Sequence, residues 1–318
     1  MKQIKYLLLA VLGIIFFATC QNNEKLNPES VFQDVSTPPN ELDKWIKENF
    51  TVPYNIRVNY KFVDNEISTA INVDPARIEC AKILLYYINH VWIGSFNEVA
   101  GPDFIKENTP RLLQLIGSSE YKHDGTETLG IAEGGVKITL TNVNLTDPKA
   151  ERDQLYWARL NKYCFHVIFH EFAHILHQTK NYSTDFNLIS VADYKAGDWV
   201  NLNDEDAPKQ GFISGYASKN TDEDFVELFA FYVTETNEEF TARVNRGLIE
   251  VSEGTPGQNG IIEIEGKKYD TKEVKKINDK VSIVKDYMND SWGVDLDKLR
   301  TVIAKRMNDL KELDITTI

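Results

Sequence analysis

HVIFHEFAHILHQ, residues 166–178, decides how the rest of this chain is read. Four of the chain's six histidines fall in it: His166, His170, His174 and His177. It lies within residues 153–180, whose apolar positions recur with helical spacing. On a helix, positions i and i+4 sit one turn apart on the same face. His170 and His174 have that spacing. Their imidazoles can reach one zinc ion at Zn–N distances of about 2.0–2.1 Å. Glu171 sits around the helix from them, where it can reach a water on the ion without ligating it. This is the H-E-x-x-H pattern, in which the metal acidifies the water and the glutamate takes its proton. Ile168, Phe169, Ile175 and Leu176 place it mid-helix in an apolar run, where a solvated helix would not need it.

Two imidazoles do not complete a zinc site. His177 is at i+7 from His170 and shares its stripe. Three ligands on one straight helix do not readily surround a tetrahedral ion. His177 therefore reads as a residue behind a ligand or lining the cleft, or simply as a polar helix position. His166 reads as packing or hydrogen bonding locally. The third ligand must come from elsewhere, and residues 221–234, TDEDFVELFAFYVT, offer Glu223 and Glu227 at i and i+4. Phe225, Val226, Leu228, Phe229, Phe231 and Tyr232 surround them, and a carboxylate near such a core is costly unless paired or metal-bound. Alone, these glutamates fit a solvated acidic first turn with Asp222 and Asp224 equally well. Beside a histidine pair that lacks a ligand, the metal reading is favoured.

HEFAH followed by Tyr216, and seven residues later by Glu223-Asp224-Phe225-Val226-Glu227, resembles the gluzincin class of metallopeptidases. The likeness is strongest to the catalytic domain of anthrax lethal factor, which has HEFGH, then a tyrosine, then E-x-F-A-E at the same distance. The resemblance covers about residues 165–232. It implies one zinc per chain, held by His170, His174 and Glu223, with water in the fourth position. It also implies Glu171 as general base, Tyr216 as the hydroxyl on the oxyanion, and Glu227 orienting a ligand histidine. Ala173 and Val226 depart from the Gly and Ala of that pattern. The longer HExxHxxGxxH pattern is absent, since residues 177 and 180 are His and Lys. The implied fold is α+β and zincin-like: a small mixed sheet, an active-site helix and a helix-rich C-terminal half. In such folds a sheet edge beside that helix pairs with extended peptide. The strand at 136–143 just precedes the helix, but the sequence does not say which strand is the edge.

The N-terminus reads as an address. In MKQIKYLLLAVLGIIFFATC, Lys2 and Lys5 precede an apolar run from Tyr6 to Phe17 that is too short to span a bilayer. It stops just before Cys20 and resembles the lipobox of a bacterial lipoprotein, though Phe17 and Thr19 depart from the commonest form. This implies a signal peptide over 1–19 and lipidation at Cys20. A polar tether over 20–40 follows, with Pro28, Pro38 and Pro39. The domain is expected over 41–318, with lobes at about 41–150 and 151–318. The whole chain also resembles Bacteroides-group lipoproteins classed as zinc metallopeptidases and associated with TonB-dependent, SusC/SusD-type nutrient import. That implies an exported outer-membrane lipoprotein, on the periplasmic face or cell surface, with a membrane contact and an import complex as partners.

Composition sets the outer bounds. The chain has 318 residues, 42% apolar and 26% charged, which excludes a disordered or fibrous protein. A net charge of −13 argues against a nucleic-acid partner. Three cysteines are too few for a disulfide scaffold, and Cys80 and Cys164 read as buried free thiols in apolar helices. Residues 42–50 and 153–180 have helical spacing, while 54–62 and 136–143 alternate as half-buried strands and 112–116 reads as a strand. Asp74-Pro75 predicts a helix start, running to about Glu98 with Ile78, Ala81, Ile83, Leu84, Tyr87, Ile88 and Val91 buried. Further helices are predicted over 221–234, 238–250, 272–289 and 295–313, with a short strand, IIEIE, in a Gly-rich loop.

The function these readings support is zinc-dependent hydrolysis of a peptide or protein substrate. Two rivals remain at this point. One is a non-catalytic surface lipoprotein that captures substrate for import; the intact Glu171 speaks against it. The other is a zinc amidohydrolase acting on a non-peptide amide.

Overall fold

Short strands come early in the chain and helices dominate the rest. The computed structural model describes residues 38–61, 73–121, 127–128, 130–133, 136–251 and 260–317. Residues 1–37, on which the expected signal peptide, the lipidation expected at Cys20 and most of the expected tether fall, lie outside the described residues. The residues from Asn40 to Ile318 form one compact unit. Among the described residues, no helix is long and apolar enough to cross a membrane.

Among the described residues, six strands precede residue 141: β1 (Arg57–Asn59), β2 (Leu112–Leu115), β3 (Glu120–Tyr121), β4 (Glu127–Thr128), β5 (Gly130–Glu133) and β6 (Lys137–Leu140). Four of them form a mixed sheet in the order β1-β2-β6-β5. β1, β2 and β6 run parallel, with Val58 opposite Leu113 and Leu113 opposite Ile138. β5 runs antiparallel to β6, with Ala132 opposite Ile138, and among the described residues β5 and β1 are the two edges of the sheet. The alternation at 136–143 predicts a half-buried strand, but all four residues of β6 are buried. β6 is an interior strand of this mixed sheet and both of its faces are covered, so alternating polarity does not report exposure there. β3 pairs with β4. Late in the chain β7 (Ile249–Glu250), β8 (Ile261–Ile264) and β9 (Lys267–Asp270) make a small antiparallel sheet in the order β7-β9-β8.

The first long helix corrects the reading of Asp74-Pro75. It begins at Ile78 and continues through a π-helical turn, Asn89–Ile93, to Val99. Pro75 instead bridges to Ile116, while the Asp74 amide donates to Ser118 Oγ. The cap comes from Asn144, far along the chain. Its Oδ1 accepts from the Arg77 amide at 2.9 Å and its Nδ2 donates to the Pro75 carbonyl at 3.2 Å. Gly117 is required at this crossing, since a Cβ there would lie 2.2 Å from the Pro75 carbonyl oxygen. Ile78, expected inside, is 52% exposed, because it sits on the outer side of the first turn. Ala81, Ile83, Leu84, Tyr87, Ile88 and Val91 are buried as predicted.

Residues 154–179 form one continuous helical run. Gln154–Leu160 leads through a wider π-helical turn, Asn161–Phe165, into the histidine helix, His166–Thr179. Asp153 caps it by accepting from the Tyr156 amide at 2.8 Å. The face away from the histidines packs into an aromatic cluster. Phe172 lies edge-on to Trp92 and Phe96, with centroids 5.3 and 5.0 Å apart. The strand side of the helix lies against β5 and β6.

The glutamate helix spans Thr221–Thr234, as predicted, and packs along the histidine helix. Its cap is Asn220, whose Oδ1 accepts from the Glu223 amide. The helix predicted over 238–250 stops at Asn245, and Ile249–Glu250 is strand. Gly247 turns the chain there, where a Cβ would meet the Pro208 carbonyl oxygen at 2.7 Å. Lys272–Trp292 and Leu296–Asp309 pack behind the glutamate helix. Cys80 and Cys164 are buried and unpaired with each other, and burial pushes the Cys80 thiol up to about 11.

Candidate metal centre

The histidine stripe faces the glutamate helix, and the two i, i+4 pairs interlock. His170 Nε2 and His174 Nε2 each lie 3.3 Å from Glu223 Oε2. Two ligand atoms about 2.05 Å from a tetrahedral ion stand about 3.3 Å apart, so this spacing is that of a zinc donor set. His170, His174 and Glu223 thus offer three converging atoms of the kinds zinc takes. His166, His170 and Glu227 also cluster. There the imidazole nitrogens lie 2.8 Å from Glu227 Oε1, which is hydrogen-bond length and too close for two ligands of one zinc ion. The first group fits a metal; the second fits its support.

That support fixes each ligand ring. His170 Nδ1 donates to Glu227 Oε1, so Nε2 is the nitrogen that faces Glu223. His174 Nδ1 contacts His177 Nε2 at 3.0 Å, so His177 accepts when His174 presents Nε2. His177 is buried, and burial together with neighbouring His174 holds its pKa down, as suits a neutral acceptor. His166 joins His170 on Glu227 and lies tilted against the Phe231 ring with centroids 4.3 Å apart.

Electrostatics follow from two carboxylates enclosed among imidazoles. Burial opposes charge on His170, but its hydrogen bonds to Glu223 and Glu227 outweigh it and push the imidazole up to about 10. Burial also opposes charge on Glu227, yet His166 and His170 hold it well below the usual carboxylate range. Glu223 is held low in the same way by His170, His174 and Lys219. Such a pocket favours a cation at its centre. Glu171 is buried beside it, and its charge adds to the forces raising His170 and Tyr216.

The loop before the glutamate helix completes the site. Tyr216 donates its hydroxyl to Glu223 Oε1 at 2.9 Å, and its ring lies 5.9 Å from that of His170. Burial raises the Tyr216 phenol, and Glu223 raises it further. Trp199 stands edge-on to Tyr216 with centroids 4.8 Å apart. The six residues expected as ligand, acid–base, oxyanion or ring-orienting groups (His170, Glu171, His174, Tyr216, Glu223 and Glu227) lie together here, and His177 sits behind His174. Two further residues were not foreseen. Ser214 donates to Glu227 Oε2 at 2.5 Å and accepts from the Ala217 amide. Lys219 donates to Glu223 Oε1 at 2.8 Å. Their sequence signal is faint: Lys219 stands at i−4 from Glu223, and Ser214 has none beyond its loop.

A helix-rich α+β fold with two histidines and a glutamate converging at zinc spacing is that of a metallopeptidase-like protein. Residues 35–297 match the Peptidase_Mx1 family model, described as "Putative zinc-binding metallo-peptidase", and the chain belongs to that family. The matched span contains every residue of the site. Among solved structures, the chain is similar to a crystal structure of a "putative zinc-binding metallo-peptidase" from Bacteroides caccae. The two are 34% identical with a TM-score of 0.66, over 90% of this chain and 98% of that one. No curated protein matches the chain.

Proposed function

We propose that this protein is a zinc-dependent peptidase of the HExxH…E type, in which His170, His174 and Glu223 hold the metal. The observation that carries the reading is that Glu223 Oε2 lies 3.3 Å from both His170 Nε2 and His174 Nε2, with Glu171 buried next to them. When bound, zinc supplies Lewis acidity that acidifies water and polarises a carbonyl.

The chain's own residues supply the rest. Glu171 takes a proton from water as it attacks the carbonyl carbon and delivers that proton to the leaving amine. Tyr216 turns its O–H to the oxygen on which charge develops. Glu227, held by Ser214, keeps the His170 ring from rotating, and His177 does the same for His174. Among the described residues β5 pairs only with β6, and it lies against the histidine helix. An extended peptide can add along its outer edge by backbone hydrogen bonds. This edge favours a peptide over an isolated amide as substrate.

Glu171→Gln tests the reading. The variant is expected to keep one zinc per chain and to lose at least about 100-fold in turnover of a mixed library of internally quenched peptides. Wild-type turnover by the variant would rule out Glu171 as the base.

A further inference from the structure

The peptidase reading leaves a conflict at Tyr216. Its hydroxyl has one proton, and that proton is already given to Glu223 Oε1 at 2.9 Å. Turning it to a substrate oxygen would strip a donor from a buried carboxylate, which is costly. Lys219 stands at this point. Its Nζ lies 2.8 Å from the same Oε1 and 3.0 Å from the Tyr216 hydroxyl oxygen. The ammonium also sits over the Tyr216 ring, 4.8 Å from its centroid. A tight turn sets this up: the Lys219 amide donates to the Tyr216 carbonyl, which folds both side chains to the same side of the loop.

Resting on that reading, we propose that Lys219 is a positioning residue that keeps Glu223 Oε1 satisfied while Tyr216 swings its proton to the substrate. An ammonium has three protons and can serve Oε1 and the phenol oxygen together. Tyr216 then moves without leaving Oε1 without a donor. Glu223 keeps Oε2 toward the two imidazoles throughout, because Lys219 anchors the other oxygen. An ordinary exposed ion pair would do none of this. Here the Glu223 side chain is only 12% exposed, and the lysine touches both partners at once.

The test uses the full zinc-loaded domain with Lys219→Met and Lys219→Arg, each with and without Tyr216→Phe. Zinc affinity is read by chelator competition, and kcat and KM on the quenched-peptide library. Lys219→Met is expected to weaken zinc binding about 10-fold in both backgrounds. It should lower kcat about 10- to 100-fold with KM changed less than about 3-fold, and Lys219→Arg should recover most of that loss. In the Tyr216→Phe background the same change should move kcat less than about 3-fold, because Lys219 acts through the tyrosine. Lys219→Gln gives the same comparison if the methionine variant does not fold. Unchanged zinc affinity, or an equal kcat loss in both backgrounds, overturns the inference. Absence of zinc binding in wild type, or full activity in Glu171→Gln, would instead overturn the peptidase reading beneath it.

Discussion

An imidazole has two nitrogens and can give only one to a metal; the other decides how well the ring is held. For His170 that other nitrogen meets an anion, Glu227, at 2.8 Å. A carboxylate behind a histidine raises the basicity of the ligand nitrogen and fixes its tautomer, and such partners are worth about 10- to 100-fold in metal affinity. Glu227→Ala should therefore weaken zinc binding by about that factor, with Glu227→Gln in between because its amide oxygen can still accept. Competition against a chelator of known affinity measures it, and equal affinities in all three proteins would refute the assignment. Helical period paired His170 with His174 and Glu223 with Glu227 in the sequence, since i and i+4 must share a face, while the role expected of Glu171 came from the H-E-x-x-H pattern and that of Glu227 from the resemblance to gluzincins. Ser214 and Lys219 were not legible. A loop hydroxyl or ammonium joins a site only once the turn around Gly215 is folded, and nothing in the local pattern encodes that turn's direction.

At the scale of elements, the glutamate helix is held from behind by a buried ion pair. Lys280, on Lys272–Trp292, lies 2.5 Å from Asp224 Oδ2, and both side chains are fully buried. Tyr194 donates to the same oxygen at 2.9 Å, and Lys280 also donates to the Gly211 carbonyl at 3.0 Å. The pair therefore ties together the first turn of the glutamate helix and the loop that carries Ser214 and Tyr216. Burial pushes Asp224 up and Lys280 down, each toward its neutral form, so the pair offsets a desolvation cost rather than adding much net stability. Removing one partner strands the other. Asp224→Asn should cost about 3–5 kcal/mol in denaturant unfolding, and adding Lys280→Met should return part of that loss. Losses that simply add would mean the two residues are not coupled. The sequence shows Asp224 only as one more acid in an acidic first turn, and Lys280 as one lysine of an amphipathic helix. The same limit explains the misread start at Pro75, where the cap comes from Asn144, across the fold. Elements bounded by their own neighbours, such as Thr221–Thr234 behind Asn220, were legible; those bounded by a distant side chain were not.

For the whole molecule, the site joins parts of the chain that fold far apart in sequence. The histidines and glutamates come from separate helices, and the aromatic cluster behind Phe172 anchors one of them to the Trp92 and Phe96 helix. An unfolded chain does not hold His170, His174 and Glu223 within reach of one ion, so a zinc ion held by these three residues would bind the native state in preference. Free zinc at about 100 times its dissociation constant should then stabilise the fold by about 2.7 kcal/mol. For a domain of this size that is a rise in melting temperature of about 5 °C. The rise should vanish on adding a chelator and should be absent in a His170→Ala, His174→Ala double variant. Magnesium should not reproduce it, since two imidazoles and one carboxylate suit zinc and not a hard oxygen-seeking cation. Scanning calorimetry across a zinc titration decides the matter. A melting temperature that stays flat in wild type would place the donor set outside metal binding, however well its 3.3 Å spacing matches a tetrahedral ion. A shift that survives the double variant would instead point to zinc held elsewhere on the chain.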